Sequence, residues 1–281
     1  MKYLAYILPL AAAFAFSACD NVDDDERWNE KVPVVAKKNV LIEDFTGQKC
    51  PNCPNASNLI HRMQENESIG QHVIAVSIHG GSMSYSVDKL PFGLATEIGE
   101  EYNTHWGVKT WPNGMVDRVG GLQEYTQWAT SVAQRLIIEP AVNIAVSTDY
   151  DGNLTDASWG MSTVNVTLDE TLDGALKNAH LNVWLTESNI TAMQLQPDGS
   201  NKTDYVHNHV LRHVLTPAYG EVVSADAEGH ATWTATYDVP KVYGKGSKTN
   251  LIMMHVVAFV TSDETGEVLQ VVEAPLAPMI N

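Results

Sequence analysis

The sequence predicts two folded domains in succession, an α/β domain over residues 39–139 and an all-β domain over residues 140–281. Two observations predict the first domain. An apolar run with strand character lies at 40–45, and a C-x-x-C segment separates that run from a helical stretch at 56–63. One observation predicts the second domain: from residue 142 onward, short runs of alternating apolar and polar residues are separated by turn signals.

The composition permits a packed core and argues against two classes of partner. The chain has 281 residues, of which 44% are hydrophobic, so global disorder is not expected. Its formal net charge of -17 repels nucleic-acid phosphates and anionic membrane surfaces, so neither is expected as a partner. We also expect no cofactor.

The first 18 residues have the features of a signal peptide. The apolar stretch from Tyr3 to Phe16 is too short to be assigned as a spanning helix, and small residues precede Cys19. This arrangement resembles the lipobox of bacterial lipoproteins. The resemblance implies cleavage before Cys19, lipidation of that residue, and attachment of the protein to the membrane through its acyl chains. A plain secretory peptide cut nearby is the alternative.

Residues 19–38 are predicted to be a solvated tether behind the anchor. The tether begins with the acidic run from Asp20 to Glu26. That run resembles the acidic export tag of surface lipoproteins in one group of Gram-negative bacteria. We therefore expect an outer-membrane, lipid-anchored protein that faces either the periplasm or the cell surface.

Cys50 and Cys53 are the candidate redox pair. A C-x-x-C between a strand and a helix is typical of thiol–disulfide chemistry. Cys50 would lie at the helix N-terminus, where the helix dipole favours a thiolate, and Cys53 would lie about one turn on, within disulfide reach. We expect Cys50 to be the exposed nucleophile and Cys53 the resolving thiol. A permanent disulfide that braces the loop is the alternative.

The segment before the cysteines resembles that of thioredoxins. Asp44 lies six positions before Cys50 and is followed by Phe45. In that family a buried acid at this place transfers a proton to or from the second cysteine. The resemblance therefore implies that Asp44 is a buried acid with a raised pKa, and an ordinary capping or solvated acid is the alternative. Its neighbour Glu43, on the opposite face of the strand, is expected to be solvated.

Residues 107–117 resemble a second thioredoxin segment, in which a cis-proline opens an antiparallel strand opposite the cysteines. The resemblance implies that Pro112 is cis and aligns the substrate backbone, with the aromatic side chain of Trp111 beside it. A trans-proline turn at Asn113-Gly114 is the alternative. The two resemblances together predict a thioredoxin-like fold for the first domain.

His79 is a candidate substrate-contacting residue in the same domain. It ends a β-branched run at 72–78. If that strand runs parallel to the first, His79 lies at the edge that carries the cysteines. An ordinary surface histidine is the alternative. Residues 82–104, with a helix expected at 91–102, form an insertion that could shape a groove or a lid.

The second domain is predicted to be an immunoglobulin-like sandwich of about seven strands. The expected strands are 142–147, 163–168, 179–185, 205–215, 230–237, 251–262 and 267–273. On the fourth of these, three histidines would share one face and could bind Zn²⁺ or Cu²⁺: His207, His209 and His213. An ordinary polar sheet face is favoured, so no metal centre is predicted.

The order of features along the chain resembles the twenty-eight-kilodalton outer-membrane lipoprotein family. The features are the lipobox, the acidic tether, the C-x-x-C domain and a β-domain with the run from Tyr205 to Arg212. Two functions follow. The first is thiol–disulfide exchange with cysteine-containing protein partners. The second is a non-catalytic surface-binding or adhesion module in which the disulfide is structural.

Overall fold

A computed structural model describes residues 35–89, 92–152, 160–245 and 247–277. Within those ranges the chain forms three α-helices: α1 (Cys53–Gln64), α2 (Glu97–His105) and α3 (Tyr125–Leu136). It also forms fifteen β-strands: β1 (Val40–Thr46), β2 (Val73–His79), β3 (Asn113–Val116), β4 (Val142–Gly152), β5 (Gly160–Glu170), β6 (Ala179–Glu187), β7 (Ile190–Leu195), β8 (Asn201–His207), β9 (Val210–Val214), β10 (Glu221–Val222), β11 (His230–Val239), β12 (Val242–Tyr243), β13 (Ser247–Lys248), β14 (Met254–Ser262) and β15 (Val268–Pro275).

One eight-stranded mixed sheet organises the described chain. Its strand order is β15-β14-β6-β9-β2-β1-β3, and β10 pairs with β6 outside this path. β2 is parallel to both β1 and β9, and the remaining pairs are antiparallel. The sheet therefore joins strands from both halves of the sequence.

This sheet overturns the predicted fold class. The expectation of an α/β thioredoxin-like domain followed by an immunoglobulin-like sandwich is wrong, because the chain is mostly β-structure built around a sheet shared by both halves. The junction lies where Ser77 of β2 pairs with Val210 of β9 and its N–H donates to the His209 carbonyl at 2.8 Å. The core crosses the same junction, since Phe45 and Phe259 belong to one buried apolar cluster.

A second layer covers one end of the sheet. The three-stranded sheet β11-β5-β4 packs against it through a core that contains Val166, Leu181 and Val256. Along β4, β5 and β11 the alternate side chains point outward and are polar or exposed. The alternation read from the sequence therefore predicts these strands well, and this part of the chain is layered like a sandwich.

The helices cover both faces of the sheet around β1. Leu41 and Phe45 pack into the same apolar cluster as Tyr102 of α2. The alternate residues of β1, which include Asp44 and Thr46, point to the opposite face, where α1 and α3 contact each other. The strand is fully buried because both of its faces are covered.

Glu43 is buried, contrary to the expectation that it is solvated. Arg118 donates two hydrogen bonds to its carboxylate, at 2.8 and 2.9 Å. The guanidinium carbon of Arg118 also lies 5.2 Å from the ring centroids of both Trp106 and Phe259. A paired, stacked guanidinium is the arrangement that allows a carboxylate to be buried at this position.

β7 and β8 form a separate hairpin between β6 and β9. They pair only with each other in the described chain, whereas β6 and β9 belong to the main sheet. The predicted single strand at 205–215 is therefore wrong. It is interrupted at His209, whose φ of 56° is a left-handed turn conformation, and becomes the end of β8 and the whole of β9.

Among the described residues, no helix combines the length and the apolar character that crossing a bilayer requires. The predicted signal peptide, Cys19 and the acidic tether up to residue 34 lie outside the described residues.

Candidate functional site

The cysteines lie where the sequence predicts, between β1 and α1, and they form a disulfide. Cys50 and Cys53 have Cα atoms 5.5 Å apart. Cys53 is the first residue of α1, and Pro54 follows it in the first turn. Proline is tolerated there because backbone N–H groups in the first turn of a helix have no acceptor within the helix. The pair thus lies at the N-terminus of a helix that begins with buried residues.

Both cysteines are buried, which corrects the expectation of an exposed Cys50. Each of the two residues has a relative exposure of 1%. The cover comes from the β7–β8 hairpin. The side-chain amide of Gln194 donates to the Cys50 carbonyl at 2.8 Å, and the backbone N–H of Leu195 donates to the Gln48 carbonyl at 2.8 Å. The disulfide loop is therefore held beneath the hairpin.

A second segment holds the other side of this loop. The Gln48 side chain donates to the carbonyls of Phe92 and Met193, at 3.0 and 3.2 Å, and accepts the N–H of Leu94 at 3.1 Å. Leu94 also packs with the first residues of β7 in a small buried apolar cluster. Gln48, which the sequence did not single out, thus connects the disulfide loop to both covering segments.

Asp44 is buried beneath the loop. Its relative exposure is 0%, and its side chain faces Ser77, its partner in the register of β1 and β2. Burial raises the pKa of Asp44 to about 8, and the Ser77 hydroxyl offsets only part of that shift. Neither carboxyl oxygen has a hydrogen bond of good geometry within the described chain. At neutral pH the group can therefore both hold and release a proton.

The Trp111–Pro112 peptide bond is cis, as predicted. β3 starts directly after it and pairs antiparallel with β1, with Asn113 opposite Phe45. Because β1 runs toward the cysteines, Pro112 enters the sheet at the edge from which the disulfide loop leaves. Trp111 is half-buried: its indole N–H donates to the Asn103 amide oxygen at 3.2 Å, so α2 fixes its position.

His79 ends β2 at the same edge of the sheet, as predicted, but it is buried. Its relative exposure is 3%, and its ring lies edge-on to that of His207, with centroids 5.3 Å apart. Desolvation is the main cause that lowers the pKa of both rings, that of His207 to about 4. Both imidazoles are therefore neutral at physiological pH.

His207, His209 and His213 do not share a strand face, contrary to the expectation from a single strand. His207 ends β8, His209 lies in the turn, and His213 lies on β9 with its ring stacked on that of Tyr237. In the described part of the chain, no group of three metal-binding side chains is placed to hold an ion.

A cavity of about 390 Å³ lies between α1 and the β7–β8 hairpin, and neither Cys50 nor Cys53 lines it. One wall is a face of α1, the other is the β7–β8 hairpin with the turn that follows it, and Thr46, Ser77 and His79 form the floor. The sequence pointed to His79 and to the histidine-rich run. It gave no signal for Gln194 or Ser77, because their roles depend on contacts between distant segments.

Comparisons with known proteins agree with this architecture. The family model described as outer membrane protein Omp28 matches residues 99–278. HBP35 of Porphyromonas gingivalis is a similar solved structure, with 17% identity and a TM-score of 0.64 over 86% of this chain and 76% of that chain. At that identity the likeness concerns the fold.

A second solved structure is a domain of the outer membrane lipoprotein Omp28 from Porphyromonas gingivalis. It aligns with 50% of this chain and 92% of its own length, at 20% identity and a TM-score of 0.35. No curated protein matches the chain.

Proposed function

The chain belongs to the Omp28 family of outer membrane proteins, and we propose that it exchanges electrons with cysteine-containing protein partners through Cys50 and Cys53. Family membership places the protein in the outer membrane. The proposal adds a lipid anchor on Cys19 and a redox activity of the buried pair. Its main support is the position of the disulfide at a helix N-terminus, next to the strand that carries the buried acid Asp44.

In the proposed reaction the reduced pair acts on a partner disulfide. The Cys50 thiolate attacks one partner sulfur, and the other partner sulfur leaves as a thiolate that takes up a proton. Cys53 then gives its proton to the Asp44 carboxylate and attacks the Cys50 sulfur. The partner leaves with two thiols, and Cys50 and Cys53 are oxidised to the disulfide. The reverse sequence oxidises a partner dithiol.

Access of a partner requires movement of the cover. The β7–β8 hairpin holds the disulfide loop through hydrogen bonds of Met193, Gln194 and Leu195 to loop residues 47, 48 and 50, and both cysteines are buried. The edge at which Pro112 enters the sheet is the place where a partner backbone would align once the hairpin is displaced. Trp111, beside the cis bond, and His79, under the hairpin, are the proposed contacts for that backbone.

Mixed-disulfide trapping tests the exchange activity. Cys53→Ser removes the resolving thiol, so Cys50 should retain partner proteins as covalent adducts that thiol reductants release. Cys50→Ser, which keeps one thiol in the same loop, is the matched control and should retain few. Equal trapping by the two variants, or none by either, would contradict the proposed roles.

The burial of both sulfurs favours a second candidate function, a surface-binding module with a structural disulfide. In that case the double variant Cys50→Ser, Cys53→Ser lacks only the disulfide that closes a four-residue loop. The chain-entropy relation assigns such a loop only about 2 kcal/mol of stability. Partner binding that survives in this double variant, with no trapping by Cys53→Ser, would support the binding module.

A further inference from the structure

The cavity between α1 and the β7–β8 hairpin contains two buried ring nitrogen atoms that lack partners. In the described chain, Nδ1 of His79 and Nε2 of His207 make no hydrogen bond. Both residues line this cavity, with relative exposures of 3% and 6%. Buried polar atoms normally have a hydrogen-bond partner, so we expect water or a ligand in the cavity to supply one.

The hydrogen-bonding state of the two rings defines what such a partner must offer. The carbonyls of Ala192 and Met193 accept from the His207 ring, so its Nδ1 carries the hydrogen and its Nε2 offers a lone pair. The partner of His207 is therefore a donor. The Nδ1 atom of His79 donates in one tautomer and accepts in the other. A hydroxyl group satisfies both rings, because it donates and accepts at the same atom.

Further hydroxyl groups face the same space. Thr46 and Ser77 lie on the floor of the cavity, and Ser57 lies on the wall formed by α1. A hydroxyl side chain rotates to donate or accept as its partner requires. This lining therefore suits a ligand with several hydroxyl groups, whose oxygens would join the protein hydroxyls in one hydrogen-bond network.

The lining also has an apolar part. Ile60 of α1 and Val206 of β8 belong to it, and so does Tyr205, whose ring lies edge-on to that of His207 with centroids 4.8 Å apart. Tyr205 is half-buried. A ligand that matches the whole lining therefore combines hydroxyl groups with a C–H surface that packs on an aromatic ring and aliphatic side chains.

The charges around the cavity favour an uncharged ligand. The imidazoles of His79 and His207 are neutral, because desolvation lowers the pKa of each ring. A charged ligand atom beside them would lose its hydration without gaining an opposite charge. Lys202 and Asp204, exposed residues of β8 that also line the cavity, carry opposite charges, so together they select neither sign.

We propose that this cavity binds a neutral sugar unit, with hydroxyl groups directed at His79 and His207 and a C–H face against Tyr205. A sugar joins several uncharged hydroxyls to an apolar ring face in one small molecule. The volume of about 390 Å³ lies within the range of about 300–1,000 Å³ that is usual for small-molecule sites. The inference goes beyond the proposed exchange of electrons, because neither cysteine lines the cavity and no covalent bond changes.

A panel of neutral monosaccharides tests the ligand class. The oxidised protein is titrated at neutral pH with D-glucose, D-galactose, D-mannose, L-fucose and N-acetyl-D-glucosamine, and binding is measured by saturation-transfer NMR and calorimetry. At least one sugar should bind saturably at millimolar concentration, whereas L-glutamine and L-histidine, zwitterions of similar size, should not. Absence of binding by every sugar would mean that water alone fills the cavity, and binding by the zwitterions alone would exclude the sugar class. Either result would overturn the proposal.

The source of the sugar is identified by chain length. The monosaccharide that binds best is compared with a trisaccharide that ends in the same unit. Tighter binding of the trisaccharide would identify the end of a glycan chain as the ligand, and tighter binding of the monosaccharide would identify the free sugar. Both results support the cavity as a sugar site.

Three variants locate the binding. Ser57→Leu places a larger apolar side chain in the cavity from a half-buried helical position and should abolish sugar binding. Asn58→Leu, at the next and exposed position of α1, outside the lining, is the matched control and should bind as the wild type does. His207→Phe keeps a ring of similar shape without the lone pair and should weaken binding about tenfold.

Thermal melts confirm that both leucine variants are folded. Equal affinity of Ser57→Leu and Asn58→Leu would place the sugar elsewhere on the protein and overturn the proposal, even if His207→Phe fails to fold.

Discussion

Replacement of Asp44 by asparagine should change the pH dependence of stability. The carboxyl is fully buried, and burial raises its pKa in the folded protein to about 8, from 3.8 for the unperturbed group. Asparagine has nearly the same shape and does not ionise. The variant therefore removes the linkage between proton binding and folding at this position while keeping the packing.

The sign follows from the two pKa values. Between about pH 4 and pH 8 the unfolded chain has released the proton that the folded chain still holds, so the free energy of unfolding falls as the pH rises. The slope is about 1.4 kcal/mol per pH unit. At pH 7, three units above the unfolded pKa, Asp44 destabilises the fold by roughly 4 kcal/mol relative to acidic pH, as an upper bound.

Urea denaturation of the oxidised proteins at pH 4.5, 6, 7.5 and 9 measures this effect. The Asn variant should gain stability over the wild type progressively across this range, by up to ~5 kcal/mol. Any constant penalty from the buried amide shifts the whole curve without changing the difference in slope. Buried histidines such as His207 give the opposite slope below about pH 6, but they are common to both proteins and cancel.

Asp149→Asn is the matched control, because Asp149 is exposed on β4. Its curve should run parallel to that of the wild type. If the Asp44→Asn curve is parallel as well, the pKa of Asp44 is not raised in the folded protein, and its carboxylate would be too weak a base to take the proton of Cys53 efficiently.

Three further variants test the packing around the site. Gln194→Ala removes two hydrogen bonds from the hairpin to the disulfide loop and should speed reduction of the oxidised protein by dithiothreitol roughly tenfold, as followed by thiol alkylation. Arg118→Ala leaves the Glu43 carboxylate buried and unpaired. It should lower the free energy of unfolding, measured in urea titrations, by about 3–5 kcal/mol. A small change would mean that water reaches Glu43. His207→Gln removes a buried ring whose pKa is lowered to about 4. The variant should therefore lose less stability than the wild type when the pH falls from 6.5 to 4, and thermal melts at both pH values measure the difference.

The local chemistry of the site could be predicted from the sequence because it depends on short segments. The β-branched run of β1, the C-x-x-C at the start of α1 and the Trp111–Pro112 bond each lie within a few residues. Asp44 could be singled out by the resemblance of its spacing from Cys50 to that of thioredoxins, and it lies on the buried strand β1. These features do not require knowledge of which distant segment packs nearby.

The fold class could not be predicted because it depends on strand partners. The sequence of β2 does not show whether the edge of this strand that faces away from β1 is free or paired. In the structure, Ser77 pairs at that edge with Val210 of β9, which is distant in sequence. The same limit applies to Glu43, whose burial depends on Arg118. Periodicity shows which face of a strand is apolar, but it does not identify the strand or cation that completes the structure.

The burial of the disulfide and the proposed exchange are compatible because of where the hairpin is attached. β6 and β9, which flank it, pair directly with each other, so β7 and β8 can leave the loop without breaking the main sheet. About four hydrogen bonds join the hairpin to residues 47–50, a few kcal/mol in total. An opening free energy of ~4 kcal/mol corresponds to an open fraction of roughly one in a thousand, which slows exchange without abolishing it. The cover would thus slow reduction of the disulfide by thiols in solution, while a partner that binds the displaced hairpin would still reach the sulfurs.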